Sequence, residues 1–290
     1  MSHPSISARS CCCGDTTSPW TDCGGPYWSW DSSRACRSWS GPAVGSGHLI
    51  ASLRRWTKID GPSPVPNIAR TLEAMDAAGV DLGLIAAWSA PHQPPLISND
   101  EVAGWVQEHP DRFAALAAVD LNRPMEAVRE LRRCVDDLGF KGLRVVPWLW
   151  EAAPTDRRYY PLYAACVDLG VPFFTQVGHT GPLRASETGR PIPYIDQVAL
   201  DFPEMVIVCG HVGYPWTEEM VAGARKHENV YIDTSAYTSK RLPAELVRFT
   251  KTSTPAAALD GLDELELAPA TQEAYLGGNA QRLLDLDGRT

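Results

Sequence analysis

Two histidines in this 290-residue chain stand where a parallel α/β protein would do chemistry. One closes the run Val171-Pro-Phe-Phe-Thr-Gln-Val-Gly-His179 and the other closes Met205-Val-Ile-Val-Cys-Gly-His211. A short apolar run bounded by turn residues reads as a buried strand of a parallel sheet. Each histidine is followed by a glycine turn, Thr180-Gly181-Pro182 and Val212-Gly213-Tyr214-Pro215-Trp216. An imidazole just past such a strand lies where α/β folds assemble their sites, and it offers metal ligation or proton transfer near neutral pH. About one βα unit separates the two, so they are expected over one cavity from neighbouring strands. The alternative is that each ring only caps its own turn by a hydrogen bond.

The elements that must position them are legible from about Val65 onward. Asn67 to Ala78 places Ile68, Leu72, Met75 and Ala78 on one helical face, with Gly79 after it. Ser98 and Glu101 have the spacing of a capping box, and Pro110 stops that helix. Pro124 opens a helix over Met125 to Leu138, and further helices are expected over Tyr160 to Leu169, Pro193 to Phe202, Thr217 to His227 and Leu242 to Thr250. Between them lie six strand-like runs, 80–88, 113–119, 140–147, 171–178, 205–210 and 230–236. The segment from Pro255 to Leu286 reads as helical, with breaks at Pro269 and at Gly277-Gly278. Strict alternation of strand and helix predicts a parallel α/β protein. No Gly-x-Gly-x-x-Gly follows a strand and no Walker loop occurs. A closed barrel takes eight strands and about 250 residues, so the regular part falls two strands short.

Residues 1–58 read differently. They hold Cys11, Cys12, Cys13, Cys23 and Cys36 with Trp20, Trp28, Trp30, Trp39 and Trp56, and no period persists. Six basic residues against Asp15, Asp22 and Asp31 leave the segment at +3, so the rest of the chain carries −12 of the −9 total. A disulfide or zinc module lacks support, because no Cys-x-x-Cys pair occurs and His3 and His48 are isolated. A disordered tail is a second reading, although so many tryptophans are unusual for one. The favoured expectation is an atypical, poorly ordered segment never selected to fold, such as translation from a shifted frame, with the domain proper spanning 59–290.

Hydrophobic content of 44% and charged content of 21% are those of an ordinary globular chain. The acidic balance and the lack of a basic patch argue against a nucleic-acid partner. No apolar run approaches the roughly 20 residues of a membrane span, and no apolar leader core is visible, so a cytoplasmic location is the default expectation. Cys134, Cys166 and Cys209 fall within periodic segments and read as small core residues.

His179-Thr-Gly, Gly210-His-Val-Gly-Tyr-Pro-Trp216, Val230-Tyr-Ile-Asp-Thr-Ser-Ala236 and Leu276-Gly-Gly-Asn-Ala280 together resemble the amidohydrolase-related family. The branch is that of aminocarboxymuconate-semialdehyde decarboxylase and the resorcylate-type decarboxylases, and the resemblance covers about residues 64–251 and 254–286. It implies a distorted TIM-barrel-like (β/α)8 fold, of which the six runs are strands two to seven, and one divalent metal, zinc or manganese. By the same resemblance His179 matches a metal ligand and His211 a catalytic acid/base beside the metal. The family's first strand ends in a His-x-His pair, and none occurs here. Its eighth strand carries an aspartate ligand, whereas Phe249 to Pro255 runs directly between two helices; Asp260 and Asp263 are poor substitutes.

The resemblance thus implies a hydrolase or carboxy-lyase acting on a small carboxylate-bearing substrate, impaired by missing ligands and holding metal at low occupancy. The alternative is a non-catalytic remnant or mispredicted gene product. Arg144, near a strand end, suits a carboxylate by paired hydrogen bonds, or else forms a surface ion pair. Tyr214 and Trp216 line the pocket or pack beneath the turn. Asp233 orients a histidine or bonds backbone groups at its strand end. A homodimer is compatible with the resemblance.

Overall fold

The computed structural model describes residues 51–52, 55, 68–78, 80–235, 237 and 241–252. The expectations for most of residues 1–58, for residues 253–255 at the place where the family's eighth strand has no counterpart, and for the tail with Asp260 and Asp263 lie outside the described residues. Within them, helices α1 (Ile68–Ala78), α2 (Asn99–Glu108), α3 (Pro124–Arg132), α4 (Pro147–Trp150), α5 (Tyr160–Leu169), α6 (Asp196–Asp201), α7 (Thr217–Lys226) and α8 (Ala244–Thr252) alternate with six strands. The strands are β1 (Gly83–Ala86), β2 (Phe113–Leu116), β3 (Leu143–Val145), β4 (Phe173–Gln176), β5 (Ile207–Gly210) and β6 (Val230–Asp233).

All neighbouring strands pair in parallel, β1 with β2 and then β3-β4-β5-β6 in sequence order. The two ladders are joined through Lys141 N to Ala115 O, Ala117 N to Gly142 O and Arg144 N to Ala117 O, each 2.8 Å. One continuous arc of a (β/α) barrel results. Its faces separate by the period-2 rule. Ile85, Phe113, Ala115, Leu143, Val145, Phe173, Ile207 and Cys209 pack outward against the helices. Leu84, Ala114, Leu116, Phe174, Val208 and Tyr231, with Leu82 and Val206 just before their strands, belong to a second, inner cluster. Cys134, Cys166 and Cys209 are buried and unbridged, as their periodic placement suggested.

The strands are shorter than the apolar runs. Residues 80–88 give a ladder only over 83–86, because Trp88 turns away to bridge Ile97 of its own loop in the antiparallel sense. The expected strand 140–147 ends at Val145, since Pro147 starts the buried turn α4. The expected helix Met125–Leu138 is α-helical only to Arg132 and continues as a wider π-turn over Arg133–Asp137. The helix expected from Pro193 begins as a kinked π-turn over Pro191–Ile195, and only Asp196–Asp201 is α-helical. The last helix lies two residues later than expected at either end. By contrast the capping box forms as read: Ser98 Oγ accepts from Glu101 N at 3.1 Å while Ser98 N donates to the Glu101 carboxylate at 2.9 Å. Helix α5 has the bounds expected, with Gly170 closing it in the left-handed region at φ 64°. No helix among the described residues is long and apolar enough to cross a membrane.

Candidate functional site

Strand register sets the polar end of the inner face. Gln176, Gly210 and Asp233 are Cα partners across β4, β5 and β6, one layer above Phe174, Val208 and Tyr231. Arg144 lies on the same inner side, because its neighbours Leu143 and Val145 both belong to the outward cluster. Apolar below and polar at the carboxyl ends of the strands, this is where barrel proteins place their sites. His179 and His211 leave from that same end, three residues past β4 and immediately past β5.

The turn after β5 is backbone-strained. His211, Val212 and Gly213 have φ of 72°, 54° and 77° in succession. For a β-branched valine this is a genuine outlier, and such conformations persist only where the surroundings over-determine them. Here the Val212 side chain is fully buried with Val221 and Leu246. Its N–H reaches Asp233 O at 3.3 Å, and Trp216 N closes the turn onto Gly213 O at 2.7 Å. The turn after β4 is locked to it. His179 N donates to Tyr214 O at 2.7 Å, and Gly178, at φ 91°, passes so close that a Cβ there would sit 2.5 Å from Tyr214 O. Only glycine fits that approach.

The two imidazoles differ in environment. His179 is exposed, its ring edge-on to Tyr214 at 5.6 Å. His211 is half-buried, with Nδ1 3.1 Å from Ser235 O and 3.2 Å from Ser235 Oγ. Ser235 in turn donates to Asp233 from its hydroxyl, 2.7 Å to Oδ2, and from its N–H, 2.9 Å to Oδ1. Asp233 therefore bonds a backbone group at its strand end and reaches His211 only through Ser235. Burial lowers the His211 pKa from its ordinary 6.5; Asp233 and the Ser235 carbonyl oppose this, while Arg144 and His179 reinforce it.

Arg144 is partly buried, its guanidinium 5.4 Å above the face of Trp88. Burial pushes its pKa down to about 10 although the Asp233 charge pulls the other way. Among the described residues it has no carboxylate at ion-pair distance, so the surface ion pair left open by the sequence does not form there. Trp148 stands beside Trp88, centroids 6.4 Å apart, and its Nε1 donates to Gln176 Oε1 at 2.9 Å. Tyr214 is exposed at the rim. Trp216 carries the Arg190 guanidinium at 5.8 Å, and Arg190 is clamped to the Glu219 carboxylate.

Trp88, Trp148, Gln176 and Ser235 were not singled out from the sequence. Gln176 had a signal, a polar residue ending an otherwise apolar strand. The tryptophans had none beyond lying after strands. Ser52 is a further addition: it falls in the atypical segment, yet its hydroxyl donates to Gly181 O at 2.6 Å in the loop after His179. Among the described residues no three His, Cys, Asp or Glu side chains gather closely enough to hold a metal ion. The described donors alone thus do not fit a resident divalent ion, and further ligands would have to come from outside them.

Residues 81–256, more than half of the chain, match the family described as Amidohydrolase. The chain belongs to the amidohydrolase family. Its similarity to curated proteins of that kind includes the gamma-resorcylate decarboxylase of Rhizobium radiobacter, 34% identical over 119 residues and 36% of either chain. The enzyme of the same name from Rhodococcus jostii is 31% identical over 176 residues, 50% of this chain and 52% of that one. The chain thus spans about a third to a half of the length of these relatives. Among solved structures it resembles an uncharacterised TIM-barrel protein from Bordetella bronchiseptica, with TM-score 0.68 and 26% identity over 86% of this chain and 96% of that one. A dihydroxybenzoic acid decarboxylase from Polaromonas, solved with bound manganese and 2-nitroresorcinol, shares the fold at TM-score 0.55 and 18% identity, covering 88% and 94%.

Proposed function

We propose that this amidohydrolase-family chain takes a small carboxylate-bearing organic substrate at the barrel mouth, as a hydrolase or a carboxy-lyase, with turnover impaired in the chain as it stands. The observation that carries the reading is the placement of Arg144. A guanidinium with a depressed pKa, stacked on Trp88 and lacking a carboxylate partner among the described residues, lies on the inner side that ends in Gln176, Gly210 and Asp233. A substrate carboxylate would supply the missing charge through paired hydrogen bonds. Trp88 would offer an apolar wall to the body of the substrate, and Tyr214 and Trp216 its rim.

His211 is the proton-transfer group in this reading. Its lowered pKa keeps the imidazole neutral near neutral pH, the state needed to take a proton from water. Once charged, it can return that proton to the leaving group in hydrolysis, or deliver one to the carbon that keeps the electron pair as carbon dioxide departs. His179 is the proposed metal ligand. A bound zinc or manganese would supply a Lewis acid at the substrate or its water. One imidazole, with no three-ligand group among the described residues, supports only low occupancy.

The names of the relatives suggest the probe. Purified protein is analysed for metal, then given manganese and gamma-resorcylate while carbon dioxide release is followed. Low metal content and little or no turnover are expected. His179→Ala should abolish the remaining metal, and His211→Ala should leave metal in place while removing residual turnover. Tightly held stoichiometric metal would sink the impairment. Failure of Arg144→Met to weaken gamma-resorcylate binding would sink the carboxylate site.

A further inference from the structure

The nitrogen of His211 that meets the protein is tied off by more groups than a turn cap needs. Nδ1 faces both the carbonyl and the hydroxyl of one residue, Ser235, at 3.1 and 3.2 Å. A carbonyl oxygen can only accept, so Nδ1 must carry a hydrogen. The hydroxyl has a single proton, and the Asp233 carboxylate draws it at 2.7 Å, which leaves an oxygen lone pair for Nδ1–H. Asp233 is itself held by Ser235 N–H at 2.9 Å, and Ser235 is buried at 3% exposure. Gly210 makes the room: a Cβ there would lie 3.2 Å from Asp233 Oδ2 and 3.9 Å from Ser235 Oγ. These groups come from the ends of two paired strands, and the left-handed backbone at His211 turns the ring toward them.

We infer that Ser235 is a positioning residue for His211, holding its imidazole as the Nδ1–H tautomer so that Nε2 carries the lone pair. The inference rests on the reading of His211 as the proton-transfer group, and adds how that group is aimed. In neutral imidazole the hydrogen bond made at one nitrogen determines what the other can do. With Nδ1 bound to acceptors, Nε2 is the nitrogen able to accept a proton from water or substrate. Asp233 acts at one remove: it orients the Ser235 hydroxyl so that its lone pair, and not its proton, faces the ring.

The test is two-bond proton–nitrogen NMR of the full chain labelled with ¹⁵N-histidine, at mildly alkaline pH where the ring is neutral. One of the seven histidines should show the Nδ1–H pattern, and His211→Asn should remove that signal. Ser235→Ala removes the hydroxyl acceptor and leaves the carbonyl, so it should lower the Nδ1–H fraction toward a mixture of the two tautomers without abolishing it, and Ser235→Thr, which keeps the hydroxyl, should restore it. Gly210→Ala should produce the same mixture with Ser235 intact, which decides the matter if Ser235→Ala fails to fold. An Nε2–H pattern for His211 in the unaltered protein overturns the inference. So does a Ser235→Ala or Gly210→Ala spectrum identical to the parent. Benzoate is then titrated in. Movement of the His211 Nε2 resonance is expected. If that resonance stays still while the Nδ1–H pattern and its dependence on Ser235 persist, the positioning role stands and the proton-transfer reading falls.

Discussion

Arg133 precedes β3 in the chain and Arg144 lies within it, and the two are treated in opposite ways. Arg133, in the turn after α3, meets Glu130 through two nitrogens at 2.9 and 2.8 Å and Asp100 at 2.8 Å, and its pKa rises, chiefly through the Glu130 bond. Glu130 also accepts from Asn99 at 2.7 Å, and Asn99 pairs with both backbone groups of Ala118 at 2.9 and 3.0 Å. This outer network ties α2, α3 and the chain beyond β2 together, with its guanidinium paired to two carboxylates. Arg144 has an aromatic face, a lowered pKa and, among the described residues, no carboxylate partner. Matched charge holds a fold together. A desolvated charge left without its counter-charge costs stability and is worth keeping only where something else neutralises it.

The largest effect is expected at the junction of the two histidine turns. Gly178→Ala places a Cβ 2.5 Å from Tyr214 O at φ 91°, so a loss of about 3–5 kcal/mol in urea denaturation is expected. Gly104→Ala, inside α2 with nothing within 4 Å of the added carbon, should instead gain about 0.5–1 kcal/mol. A protein that tolerates Gly178→Ala does not have its two histidine turns locked through the close approach of Gly178 to Tyr214.

In the outer network, Asn99→Ala strands the N–H and C=O of Ala118 and should cost about 2–4 kcal/mol. Gamma-resorcylate or benzoate affinity should not change beyond the fraction unfolded. Arg144→Met should do the reverse. Ligand affinity, read by calorimetry, falls about 10–100-fold, while stability stays level or rises by about 1 kcal/mol. If Arg144→Met destabilises as much as Asn99→Ala, the two arginines are both structural and the contrast disappears.

The smallest effects are those of pH, and they separate the regions by window. Glu130 is held below its ordinary 4.5, mainly by the Arg133 hydrogen bond. The folded state therefore binds that proton less readily than the unfolded chain, and the outer network's contribution is lost as pH falls below 4.5. His211 lies below its ordinary 6.5 because of burial, so the unfolded chain protonates first and stability declines as pH falls from 6.5 toward the folded value. Urea midpoints measured across both windows should show both declines. His211→Gln should flatten the upper one, and Glu130→Gln the lower. An unchanged upper slope in His211→Gln would mean that burial does not control the ring.

Much of this was legible in the chain. The Ser98–Glu101 capping box and the bounds of α5 depend on residues within a turn of one another, and they formed as read. The order and direction of the six strands followed from alternation alone. The placement of His179 and His211 at one end followed from strand direction, which in a parallel sheet is common to all strands. Strand lengths were overread, because an apolar run records burial and not pairing: Val80 is buried, yet the ladder begins at Gly83. Helix α3 was overread because its apolar period continues through the π-turn at Arg133–Asp137, which hydrophobic spacing does not distinguish.

Local period and chain direction carry the alternating elements, their parallel order and the end of the barrel where polar groups gather. Tertiary structure alone decided the chemistry at that end. Whether Arg144 would meet a carboxylate, a tryptophan face or water depended on Trp88, 56 positions earlier in the chain. Whether Asp233 would touch a histidine or only a strand end depended on a serine hydroxyl two residues away meeting a ring from the neighbouring strand. Desolvation and hydrogen bonding set the state of a titratable group. Both are sums over neighbours in space, and those neighbours are adjacent only once the chain has folded.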